Sequence, residues 1–175
     1  MADYTFSRLV SDAAVAADGL ESLDLPVQPL SVVLVEISPL NETSTIGNFR
    51  LLEALLSAVD NVAVRWKGDP VVNVNGVDLA ALSLLWHKLS IWQSNAVETD
   101  NDRRSIVLPI VLGKRPFDVN ECFPRSLKGE LRLDITWDIA DTGFDGLRRS
   151  VHTIELPGAD PKFVEKKVTL ARTWP

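Results

Sequence analysis

The side chains in this sequence that could carry chemistry are few. They are two histidines, His87 and His152, one cysteine, Cys122, and the aspartates gathered between positions 134 and 145. A metal or general-base role needs a second ligand at close spacing, and neither histidine has one. His87 follows Trp86 in a helical stretch, and His152 lies in a strand-like run; both read as structural. Cys122 could be a nucleophile only with a base brought from elsewhere. Its setting, Asn120-Glu121-Cys122-Phe123-Pro124, offers neither a cation nor a helix N-terminus to lower its pKa. A packed or partner-facing thiol fits better. One cysteine per chain can form a disulfide only between molecules, so Cys122 is a candidate intermolecular contact.

Asp134 and Asp138 share a strand face, as the paired carboxylates of a glycosidase would. Glu130, Arg132 and Thr136 share it too, and a solvated outer face accounts for all five. Asp138, Asp141 and Asp145 in "DIADTGFDG" could surround calcium, but their spacing is not that of an EF-hand, and a turn needs the same residues. No phosphate-cradling glycine loop, serine elbow or HExxH is present. The reading is therefore of a protein that is not an enzyme, with no catalytic residue, cofactor or metal.

The elements that hold these residues come from a chain of 175 residues and 19.3 kDa, one domain by length. With 46% hydrophobic and 24% charged residues it has the composition of a globular protein. No apolar run reaches the roughly 18 residues of a membrane span. The N-terminus lacks a signal pattern, so no export address is expected. The net charge is −6 and unevenly spread: residues 1–102 carry 5 basic and 14 acidic residues, residues 103–175 carry 13 and 10. A general nucleic-acid binder would need a dominant basic face. Complementary patches between copies or partners would suit the asymmetry, as would two solvated surfaces with no role.

Residues 1–30 stand apart, with Asp3, Asp12, Asp18, Glu21 and Asp24 against Arg8 alone. They read as an acidic arm that orders against a neighbour, or as a covering loop or first strand, before a domain spanning 31–175. "SVVLVEIS" (31–38) reads as a buried strand. Phe49, Leu52, Leu55, Leu56 and Val59 predict a helix capped by Asn48. "VAVRW" and "VVNVN" predict strands around Gly68-Asp69-Pro70. Asp78 then caps a helix with the stripe Leu79, Leu82, Leu85, Trp86 and Leu89. "SIVLPIVLG" (105–113) is apolar throughout, as in a strand covered on both faces, with Pro109 demanding an edge or bulge. From 130 to 139 polar and apolar residues alternate, which predicts a strand with one wet face. "RRSVHTIEL" and "KKVTLARTW" supply two more. The expected fold is mainly β, a single jelly-roll barrel or sandwich of about eight strands with two helices in connecting loops.

"SIVLPIVLGKRPFDVNECFPRSLKGELRLDITWDIADTG", preceded by "VVNVNGVDLAALSLLWHKL", resembles the jelly-roll major capsid proteins of tailless icosahedral viruses with an internal membrane. The shared features are an apolar strand, a glycine, a basic-Pro-Phe-Asp loop, a Cys-Phe-Pro step and an alternating strand, over roughly residues 60–156. Within that PRD1-adenovirus-like lineage, the chain is most similar to the small major capsid protein of phages of thermophilic bacteria. The chain is too short for a double jelly roll, and residues 1–30 match no part of the pattern. The resemblance implies a vertical single jelly roll that dimerises and joins a second, larger major capsid protein. Together they would form capsomers over a membrane, in a virion assembled in the host cytoplasm, with no specific nucleic-acid partner. The alternative is a carbohydrate-binding β-sandwich module stacking sugars on Trp66, Trp92 or Trp174, since Trp86 and Trp137 fall on predicted core faces.

Overall fold

Alternation along 131–137 does set a strand. In the computed structural model, which describes residues 3–41, 52–94, 103–113, 115–139, 144–161 and 168–169, Leu131, Leu133, Ile135 and Trp137 are buried. Arg132, Asp134 and Thr136 face out between them. Ten strands and two helices are described: β1 (Thr5–Ala14), β2 (Gly19–Asp24), β3 (Leu30–Asn41), α1 (Leu52–Ser57), β4 (Val59–Trp66), β5 (Asp69–Val74), α2 (Gly76–His87), β6 (Trp92–Gln93), β7 (Ile106–Val111), β8 (Leu131–Trp137), β9 (Phe144–Glu155) and β10 (Val168–Thr169). One sheet has the order β1-β9-β3-β7-β6 and the other β10-β5-β4-β8-β2. Every pairing is antiparallel except β10 with β5.

The core lies between the sheets. Val33, Val35 and Ile37 of β3 and Ile106, Leu108 and Ile110 of β7 meet Val62 and Val64 of β4 and the inner face of β8. Each side chain of this size removed from water contributes about 1.5–3 kcal/mol. Lys67 and Gly68 join β4 to β5 with φ of 52° and 92°, the pair of positive values a two-residue hairpin turn needs.

Residues 5–24 form strands within their own chain. β1 runs along β9 at the edge of one sheet, and β2 runs along β8 at the edge of the other. At the opposite side β7 is bonded to β6 only through Val107 and Ile106, so Pro109 sits where no ladder partner is required. α2 covers that edge, and the Ser83 hydroxyl donates to the Pro109 carbonyl over 3.1 Å.

Three expectations are corrected. α2 buries Gly76, Leu79, Ala80 and Ser83, while Leu85 and Trp86 of the expected stripe are exposed. Its cap is Asn75, not Asp78. The Asn75 side-chain oxygen accepts from the Asp78 amide over 2.7 Å, and its NH2 donates to the Asp78 carboxylate. Val59, assigned to the first helix, opens β4 instead, because its side chain is needed in the core beside Leu55 and Leu56. Asn48 and Phe49 lie outside the described residues.

A candidate interaction surface

The two sheets differ sharply in what they show to solvent. On the outer face of the β4/β8/β2 sheet, Asp134 pairs with Arg65 at 2.9 Å and accepts from the Ser22 hydroxyl. Arg132 pairs with Asp24 at 3.4 Å, and Lys67 with Glu130 at 3.3 Å. That face is ordinary wet surface. The Asp134 carboxylate is spent on an ion pair, and Asp138 lies beyond the end of β8, its amide bonded to the Ala58 carbonyl.

The other sheet's outer face carries an apolar patch among a few polar and charged residues. Strand register fixes three rows on it: Phe6, Ile154, Val32, Val111; then Arg8, His152, Leu34, Pro109; then Ser150, Glu36, Val107, Trp92. Val32, Leu34, Val107, Pro109 and Ile154 floor an open cavity of about 230 Å³, walled by Phe117 and Trp92. Phe117 and Trp92 are 50% and 56% exposed, amounts that mark them as exposed aromatic surface. The Ser31 hydroxyl accepts from the Phe117 amide over 2.8 Å, which fixes the loop after β7 above this face. Tyr4 meets Phe117 edge-on at 6.0 Å. Pro109 also borders the groove beside Trp86 and His87, so the apolar surface continues to α2.

His152 stacks on Phe6 with ring centroids 5.1 Å apart. Burial holds its pKa below the ordinary value, Arg8 adds to that, and Glu36 opposes it. A depressed histidine pKa means that the unfolded chain takes up the proton first. Stability from this group is therefore present above about pH 6.5 and lost as pH falls below it. Thermal melts between about pH 7.5 and pH 5 should show a fall in Tm that is smaller in His152→Gln, measured in the same buffers. An equal fall in both proteins would remove His152 from the explanation.

Cys122 is 5% exposed, its thiol 3.8 Å from the Val119 carbonyl, and burial pushes its pKa up. It belongs to the same loop as Phe117, but the thiol faces in. Among the described residues no three His, Cys, Asp or Glu side chains cluster as metal ligands. Asp141 lies outside the described residues, as does Trp174. Of the other tryptophans offered for sugar stacking, Trp66 is half-buried, held edge-on by Phe123 at 6.1 Å with the Lys67 ammonium 4.9 Å over its ring. Trp92 is 56% exposed. No helix among the described residues is long and apolar enough to cross a membrane.

The sequence reading did not single out this patch. The run 105–113 was expected to be covered on both faces, and along β7 only Val107 is not buried; with the half-buried Leu34 of β3 and Ile154 of β9 it forms the part of the floor that shows.

No family model matches the sequence, and no curated protein matches it. Solved structures do. The STIV MCP is similar at TM-score 0.60 and 14% identity, over 87% of this chain and 48% of that one. The major capsid protein of bacteriophage PM2 is similar at TM-score 0.57 and 17% identity, over 90% of this chain and 52% of that one. PBCV-1 VP54 is similar at TM-score 0.57 and 10% identity, over 90% and 44%. The chain thus spans about half the length of the structures it matches. Two facing five-stranded sheets and these similarities together establish a mainly β jelly-roll fold, the fold of viral capsid proteins.

Proposed function

We propose that this chain is a structural virion protein: a single jelly-roll capsid subunit that self-associates and joins a larger partner capsid protein in capsomers of an icosahedral shell around a membrane. The observation that carries the proposal is the fold likeness over 87–90% of the chain to three viral capsid structures. The exposed rings of Phe6, Phe117 and Trp92 around an apolar hollow support it, because a subunit working alone would leave those rings in water. The motif resemblance over residues 60–156 supports the narrower placement with the small major capsid proteins of internal-membrane phages of thermophilic bacteria, assembled in the host cytoplasm.

Such a subunit stabilises an assembly with its surfaces and needs no catalytic group. The acidic extension of residues 1–30 and the domain of 31–175 both belong to the proposal, the extension closing one edge of each sheet. Cys122 belongs to it as the candidate intermolecular contact, although its thiol is buried beneath the loop that presents Phe117, so a cross-link between copies would require that loop to open. Light scattering of the purified chain should give a dimer or larger species, and co-expression with the larger shell protein of the same genome should give a co-purifying complex. A chain that stays monomeric alone and with that protein, yet is retained on a glycan column, would replace the proposal with the carbohydrate-binding reading.

A further inference from the structure

We infer that the apolar outer face of the β1/β9/β3/β7 sheet is a twofold contact between two copies of this chain; the inference rests on the reading as a self-associating shell subunit and assigns that association to a surface. Two observations select a second copy. The first is charge. Arg8 and Glu36 lie on this face to either side of His152, two strands apart and one row offset. A partner of one charge sign would meet repulsion from one of them. A twofold axis lying in the plane of contact and passing between them sets Arg8 of each copy against Glu36 of the other. The chain is its own complement here, despite a net charge of −6 that opposes association elsewhere.

The second observation is shape. With strands about 4.8 Å apart and same-face residues about 6.7 Å apart, the same axis carries Phe6 of each copy over Val107 and Pro109 of the other. Those residues floor the open cavity, so an exposed aromatic ring meets an apolar hollow in both directions.

The test is a charge-swap set measured by sedimentation on full-length protein, with circular dichroism to confirm folding. Arg8→Glu and Glu36→Arg should each weaken self-association by about tenfold or more, since each places like charges together twice. Mixing the two variants should restore dimers, as should both changes in one chain. Phe6→Ser should weaken association at every salt concentration, whereas added salt should abolish the benefit of mixing. Dimers unaffected by all of these variants, or variants that never recover on mixing, would overturn the assignment. If the swap behaves as expected but the chain joins no shell protein, the contact stands and the capsid reading falls. If the chain is monomeric alone but enters a complex with the larger protein, the contact falls and the capsid reading stands.

Discussion

Deleting residues 2–24 is expected to leave a chain with no cooperative melt, or one destabilised by about 5 kcal/mol or more, which is comparable to the whole margin of a small domain. The argument starts from β2, whose six residues pair with β8 from Gly19 opposite Trp137 to Asp24 opposite Arg132. Its loss would bare the edge of the strand that carries the centre of the core. β1 does the same service for β9. The largest single term is Glu21. Its carboxylate points between the sheets, pairs with Arg149 and accepts from the Trp137 indole N–H over 3.2 Å. The Arg149 and Glu21 side chains are only 13% and 20% exposed, so deletion would strand a guanidinium that water barely reaches. Breaking such a pair from one side costs about 3–5 kcal/mol. An arm that docks only on a neighbouring subunit would behave otherwise. The truncated chain would then melt within a few degrees of the full one, with a normal circular dichroism spectrum, and the cis pairing of residues 5–24 would not be what holds this fold.

The same segment shows what the sequence could and could not reveal. β8 was readable because its two faces meet different surroundings, core and water, so hydropathy alternates with the pleat. β1 and β2 lie at edges, with most of their residues exposed, and edge strands need no such alternation. Their partners β9 and β8 are more than a hundred residues away, beyond the reach of local pattern. α2 failed for another reason. Its buried face is built from Gly76, Ala80 and Ser83 because the helix packs closely: a Cβ at Gly76 would run into the Leu56 carbonyl oxygen. Small residues do not register as an apolar stripe, and Leu85 and Trp86, read as extending the stripe that Leu79 begins, are exposed. The candidate surface was half readable. The apolar run 105–113 announced a strand covered twice, and β7 is buried except at Val107; only the folded chain shows that Val107, Leu34 and Ile154 come together beneath the exposed rings of Phe117 and Trp92. Asp134 of β8 lies on the wet face that the alternation predicts, where Arg65 and Ser22 engage it and Asp24 engages Arg132.

Trp137→Ala is expected to cost about 3–5 kcal/mol, the range for removing a large aromatic side chain from a packed core. For a domain of this size that is roughly 10 °C in Tm. Trp137 is 3% exposed at the end of β8, beside Ile135 and Leu133, which are wholly buried. Two losses add there: the apolar volume, and the partner of Glu21, whose second oxygen would keep Arg149 alone. Trp137→Phe separates them. It keeps most of the ring's apolar contact and deletes only the indole N–H, so its cost should be nearer 1 kcal/mol from the hydrogen bond plus a small cavity. Thermal and urea melts on both variants would check this, because a difference in midpoint at constant slope reports stability alone. If Trp137→Phe instead costs as much as Trp137→Ala, the hydrogen bond that links β8 through Glu21 to β9 outweighs the packing of the ring. If neither variant shifts Tm by more than about 3 °C, the apolar face of β8 does not face the core.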